Sequence, residues 1–375
     1  MRAVIEATEP DVAVFDRFYL EEAQSHAVRS LRPETLRILD MQDCHALRLA
    51  RQRVIESGGS ILESVRGFPT ADDSALAREL AAVHRSDLAI ACSPVEERWL
   101  RDVCGVPRHK LALAPLLGDV ASHVASHSKG SFDSRKGFVA LGTFKHPPNV
   151  DQMRYLVSRV WPHIRLALPA AQLTIIGSHP SALEAAAMHD PANGVVFQGH
   201  VSDGALQKAL REARVLLAPL RFGAGIKGKI LDAWAHGTPV VTTRIGSEGL
   251  ERADHQPARA NHEDDSQHWG GMCSSVDAQA LAADAVTLHM DAVRWEACSR
   301  EATALRTSLF VNGGHLDELK ATIERRLTDS RERRASDYFG AALWHHRQRS
   351  TEYFARWLEL KEQLRVTRAN QAATR

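Results

Sequence analysis

The stretch Ala218–Leu250, APLRFGAGIKGKILDAWAHGTPVVTTRIGSEGL, decides the fold. It sets a glycine loop between two apolar runs, Val215–Ala218 and Val240–Thr242, and opens a helix over Gly228–His236 that Gly237 is placed to stop. Strand, glycine loop, helix and strand in that order are the unit of a parallel α/β sheet. Glycines let the backbone approach an anion closely, the free N–H groups of the first helical turn point at it, and the helix dipole adds a favourable field. Lys227 and Lys229 add positive charge, and Asp232, three residues after Lys229, shares its helix face and suits a vicinal diol such as ribose. Gly223-x-x-x-x-Gly228-Lys229 is most of a Walker A motif, but Ile230 stands where Ser or Thr would hold Mg²⁺. A P-loop nucleotide hydrolase is therefore set aside.

Working outward, strands are expected at Phe138–Leu141, Leu173–Ile176 and Val195–Phe197 as well, with Asn149 capping a helix that runs through Trp161 and Ser202 capping Gly204–Ala213. Apolar runs at Val12–Phe15, Leu36–Leu39, Leu88–Ala91 and Leu111–Ala114, separated by helical stretches such as Ala75–His84 and Pro94–Val103, repeat the rhythm nearer the N-terminus. Between the two series, Ser122–Ser134 is polar and small and reads as a linker. The expectation is two doubly wound, Rossmann-like domains, residues 1–130 and 135–315. Residues 316–375 then form a helical extension rich in arginine and aromatics: Tyr338, Phe339, Trp344, Tyr353, Phe354 and Trp357. Acidic residues mixed into that tail (Asp329, Glu332, Asp337, Glu352, Glu359, Glu362) favour packing on the protein over a basic membrane or nucleic-acid patch.

A chain of 375 residues suits two domains, and 44% hydrophobic with 25% charged residues at a net charge of +1 is ordinary for a globular protein. No apolar run approaches the roughly 20 residues of a membrane span, and the start MRAVIEATEPD has no signal-peptide core, so the cytoplasm is the expected compartment. Cys44, Cys92, Cys104, Cys273 and Cys298 are odd in number with no C-x-x-C pair, which suggests thiols rather than a disulfide framework or zinc site.

From Phe138 to about Leu250 the sequence resembles the nucleotide-sugar-binding domain of GT-B glycosyltransferases, the retaining group of family four. That group carries two glutamates separated by seven residues, then a glycine, a proline and a strand; here Asp232 fits the second acidic position and Gly237-Thr238-Pro239-Val240-Val241 follows. The first acidic position falls on Ala224, so the backbone of Gly223, Ala224 and Gly225 would meet the donor sugar instead. The turn Gly142-Thr143-Phe144-Lys145-His146-Pro147-Pro148-Asn149 resembles the family turn that faces the donor phosphates, which makes Gly142 and Lys145 candidate ligands. Glu248 is a further donor-side candidate.

Pro10–Glu22, Arg37–Arg48 and Arg85–Leu100 resemble the family's acceptor domain. Asp43 and His45 follow a strand end facing the expected cleft, where a histidine can orient or deprotonate an acceptor hydroxyl. Asp16 and Arg17 sit at another strand end, where a plain ion pair is the alternative to a site role. The resemblance implies a nucleoside-diphosphate-sugar donor, a glycan or lipid-linked acceptor, retention of configuration, no metal and no cofactor. It also implies further strands before Pro10, about a hundred residues this sequence does not include. The first domain is thus expected to be incomplete, through a fragment or misplaced start, a partner chain that supplies the strands, or a remnant; an oligomer and contact with the inner face of a membrane are further expectations. The alternative is a nucleotide-sugar-binding remnant or an interaction protein. A nucleotide-sugar epimerase is disfavoured by the lack of its G-x-x-G-x-x-G turn and Y-x-x-x-K pair.

Overall fold

Strands β1 (Val12–Asp16), β2 (Leu36–Asp40), β3 (Leu88–Ala91) and β4 (Leu111–Leu113) form a parallel sheet in that spatial order. Strands β5 (Phe138–Leu141), β6 (Leu173–Ile176), β7 (Val195–Gly199), β8 (Val215–Ala218), β9 (Val240–Thr242) and β10 (Gly271–Cys273) form a second, in the order β10-β9-β8-β5-β6-β7. The computed structural model describes residues 2–115, 130–250, 269–274, 277–311 and 315–347, with 357 and 361. Helices cover both faces of each sheet, so Leu36, Ile38, Leu39, Leu216 and Leu217 are buried although they follow one another with little alternation.

β10 has no apolar run to announce it. It exists because Gly271, Met272 and Cys273 pair with Val240, Val241 and Thr242 of β9. The first helix of the second domain starts earlier than expected: His146 is its N-cap, Pro147 and Pro148 supply the fixed backbone of a first turn, and Asn149 lies inside, donating to the Thr143 carbonyl. The helix continues as Pro147–Tyr155, a π-helical turn Leu156–Val160 and Trp161–Ala167. Ser202 accepts from the Ala205 N–H ahead of the helix Asp203–Glu212, as its position suggested.

The long helix His315–Ser336 packs on the first sheet. Its Leu319 and Ile323 join Leu36, Ile38, Leu88 and Ala114. Further along, Arg334 donates to both oxygens of Asp87 and to the carbonyls of Pro33 and Thr35. The Trp344 indole N–H donates to the Arg85 carbonyl at 3.0 Å while its ring lies beneath the guanidinium of Arg29. Residues 315–347 are therefore built into the first domain. Tyr338 and Phe339 stay exposed. Residues 122–129 of the expected linker and the aromatics Tyr353 and Phe354 lie outside the described residues.

Truncating Leu319 to alanine should destabilise the first domain by about 2–4 kcal/mol through the cavity it leaves. Urea unfolding followed by tryptophan fluorescence measures this, and an unchanged midpoint would show that the helix does not dock there.

Candidate functional site

In the second sheet β5 is flanked by β6 and β8, so the connections leaving β5 and β8 run to opposite sides and a crevice opens between them at the carboxyl ends of the strands. Two of the sequence-predicted loops meet there. Gly142 begins the β5 turn and has no room for a side chain: a Cβ would lie 2.8 Å from Asn149 Cγ. On the β8 side, the helix Gly228–Ala235 starts at Lys227, which makes no side-chain capping hydrogen bond, leaving first-turn N–H groups to meet an anion. Lys229 spans the crevice floor, donating to Asn149 Oδ1 at 2.6 Å and Gln152 Oε1 at 2.7 Å. Burial, and then the charge of Lys227, bring its pKa down to about 7.

The first domain forms the opposite wall. Asp43 accepts from Arg48 Nε at 2.7 Å, and its other oxygen lies 3.3 Å from His45 Nδ1. Burial pushes the Asp43 carboxyl up, but Arg48 and His45 outweigh it and hold the group below the usual range. His45 is lowered, chiefly by burial. It is thus neutral at pH 7, with Nδ1 on the Asp43 main-chain carbonyl at 3.4 Å and beside its carboxylate, the arrangement of an oriented general base. The adjoining helix His45–Glu56 has Cys44 at its N-cap, and Glu79 caps it from below by accepting the His45 and Ala46 N–H groups at 2.8 Å.

The glycine loop and the first domain are in contact. Gly225 donates its N–H to Glu96 Oε1 at 2.8 Å, and the same oxygen accepts the Cys44 N–H at 2.9 Å. Arg51 donates to both oxygens of Glu248 at 2.7 Å and to the Gly223 carbonyl at 2.8 Å. Gly225 has φ +66, and a Cβ there would stand 3.0 Å from Cys92 Sγ and 3.1 Å from Asp43 Cβ. Ala224 is buried in the core of the first domain.

The predicted residues therefore divide. Asp43, His45, Gly142 and Lys229 border the crevice or its facing wall. Gly223, Ala224, Gly225 and Glu248 are taken up by the interface between domains. Lys227 is buried, with its ammonium on the carbonyls of Ala224 and Gly225. The Lys145 side chain is exposed, and Asp232 lies exposed within the field of Arg306. The Asp16–Arg17 pair is present at 3.7 Å.

Sequence reasoning missed His146, Arg48, Arg51, Glu79 and Glu96. His146 is half-buried and shares the field of Arg48, Asp43, Lys229 and Arg17; burial foremost brings its pKa to about 4. Glu96 and Arg51 read as ordinary helix-surface charges because their partners are 129 and 197 residues away. One local signal is conformational: Arg17, Gln42 and His179 hold φ of +71, +62 and +60, and all three follow strand ends on the crevice side. Such strain gathers where structure serves a site.

Residues 135–291 match the family described as glycosyl transferases group 1. The fold of the chain is GT-B. It is similar to S. aureus TarM, solved in complex with fondaparinux, alpha-GlcNAc-glycerol and UDP (TM-score 0.62, 10% identity, 86% of this chain and 57% of that one). It is similar also to sucrose-phosphate synthase from Thermosynechococcus elongatus (0.61, 17%, 88% and 76%) and to Anabaena HepE, solved with UDP and glucose (0.60, 13%, 86% and 80%). The chain thus spans little over half of the TarM chain. No curated protein matches the sequence.

Burial, then the charge of Asp43, raises the Glu96 pKa from 4.5 to about 7. A carboxyl raised on folding takes up its proton first in the folded state, so its contribution to stability falls as pH rises from about 4.5 to 7. Glu96→Gln keeps a carbonyl acceptor and removes that titration. Its melting temperature relative to the native protein should therefore climb between pH 5 and pH 8, read by scanning calorimetry; a difference that does not vary with pH would contradict a raised Glu96.

Proposed function

We propose that this chain is a glycosyltransferase that moves a sugar from a nucleoside-diphosphate sugar to a glycan or lipid-linked acceptor, with retention and without a metal ion. The observation that carries the proposal is Lys229, held by Asn149 and Gln152 beside the uncapped start of Gly228–Ala235, at the switch point of the second sheet. A cation beside the N–H groups of a helix start suits a pyrophosphate, and together they stabilise the charge that develops on the leaving phosphate. Asp232 takes the ribose. Lys145 and the Gly142 turn lie along the path of the phosphates. On the facing wall His45, oriented by Asp43, receives or orients the acceptor hydroxyl, and His146 adds a neutral imidazole between the two.

The family match over 135–291 and the UDP in the TarM and HepE structures support a nucleotide-sugar donor. Free thiols at all five cysteines suit a reducing compartment such as the cytoplasm. No helix among the described residues is long and apolar enough to cross a membrane. One observation favours the second reading, a donor binder that does not transfer: Ala224 stands in the family's first acidic position and is packed into the first domain. Binding without transfer would decide for it.

Calorimetric titration with UDP, GDP and ADP tests the proposal. One diphosphate should bind, and Lys229→Gln should weaken it about ten- to hundredfold near pH 6, the value of hydrogen bonds to a charged group. Because the free amine titrates near pH 7, the gap between native protein and variant should narrow toward pH 8.5. A folded protein that binds none of the three refutes the donor site.

A further inference from the structure

The glycine loop that borders the donor crevice is shaped by the first domain. The Gly225 N–H, expected from the sequence to meet the donor sugar, is bonded instead to Glu96, a residue 1% exposed. The Gly223 carbonyl is bonded to Arg51, which is fully buried. Glu96 also holds the Cys44 N–H, and so ties the turn carrying Asp43 and His45 to the loop leading to Lys227 and Lys229. Two buried polar side chains each bond both domains, the second through the bidentate Arg51–Glu248 pair. Both side chains make these bonds to the loop only in the closed arrangement, so each specifies that arrangement.

We infer that Glu96 and Arg51 are positioning residues that clasp the glycine loop. They hold the Gly223–Gly225 loop, with Gly225 in the left-handed region, and set Lys229 and the helix start against the β5 turn. Donor affinity is thereby made to depend on the first domain, although neither side chain faces the crevice floor. A site whose geometry one domain supplies and the other fixes gains affinity when the domains close and loses it when they part. The backbone geometry at Gly225 adds a steric condition, since a methyl group there meets Cys92 and Asp43 and its φ is unfavourable for any other residue.

The nucleotide arm of the test rests on the donor-site reading; a second arm does not. In the first arm, Glu96→Ala, Glu96→Gln and Gly225→Ala are titrated with whichever of UDP, GDP and ADP the native protein binds. Glu96→Ala and Gly225→Ala should weaken binding about five- to hundredfold, while Glu96→Gln, which keeps the accepting oxygen, stays within about threefold of the native protein. A residue that served stability alone would lower the melting temperature and leave the affinity of the folded fraction unchanged, and that result overturns the inference. In the second arm, small-angle scattering without nucleotide compares the native protein with Arg51→Ala, Glu248→Ala and the double variant. The radius of gyration should rise in each single variant, with no further rise in the double. An unchanged radius in folded variants also overturns the clasp. Failure of the native protein to bind any diphosphate, with expansion of the variants intact, would remove the donor reading and leave the clasp standing.

Discussion

The constraint on which the molecule turns is the divergence of the chain on either side of β5. Right-handed crossovers send the connection after β5 to one face of the second sheet and that after β8 to the other, and neither connection covers the gap that opens between them. The crevice is thus a consequence of strand order. Its chemistry comes from what lines it: an uncapped helix start, a cation with lowered affinity for its proton, and two amide oxygens that hold the cation in place. The first sheet, whose four strands follow their chain order, has no such reversal among the described residues and serves as the facing wall.

Charge that is taken out of water at the domain interface must find partners there, and this couples the halves. Lys227 lies within the fields of Glu248, Arg51 and Glu96, and burial lowers Lys227 while it raises Glu96. In isolation each would be costly to bury; together they are satisfied by one another and by backbone groups of the glycine loop. The interior arginine of the second domain obeys the same rule by other means. Among the described residues Arg135 donates to the carbonyls of Leu210, Ala213 and His236 and to Thr238 Oγ1 rather than to a carboxylate, and these bonds knit the helix before β8 to the turn before β9.

Nine of the ten described strands were legible in the sequence, because parallel strands covered on both faces are short apolar runs ended by turns, and β5 or β8 could hardly read otherwise. β10 was not, since its three residues are held by a neighbour rather than by their own propensity. Of the site, the glycine loop and Lys229 were legible because they depend on local order: glycines, then lysines, then a helix. Where each side chain of the loop points was not. Lys227 and Lys229 look equivalent on paper, yet one folds back on its own loop and the other crosses to Asn149. Lys145 and His146 are adjacent, yet the lysine side chain is exposed and the imidazole half-buried. Such choices are made by contacts between residues far apart in the chain, which a single sequence does not display.

The most direct test of the account is a crystal structure with the diphosphate that binds in solution. It should place the pyrophosphate at the first turn of Gly228–Ala235, within hydrogen-bond distance of Lys229 Nζ, with the ribose toward Asp232. A diphosphate bound elsewhere on the chain, or one at the crevice that leaves Lys229 on Asn149 and Gln152 without touching it, would contradict the account.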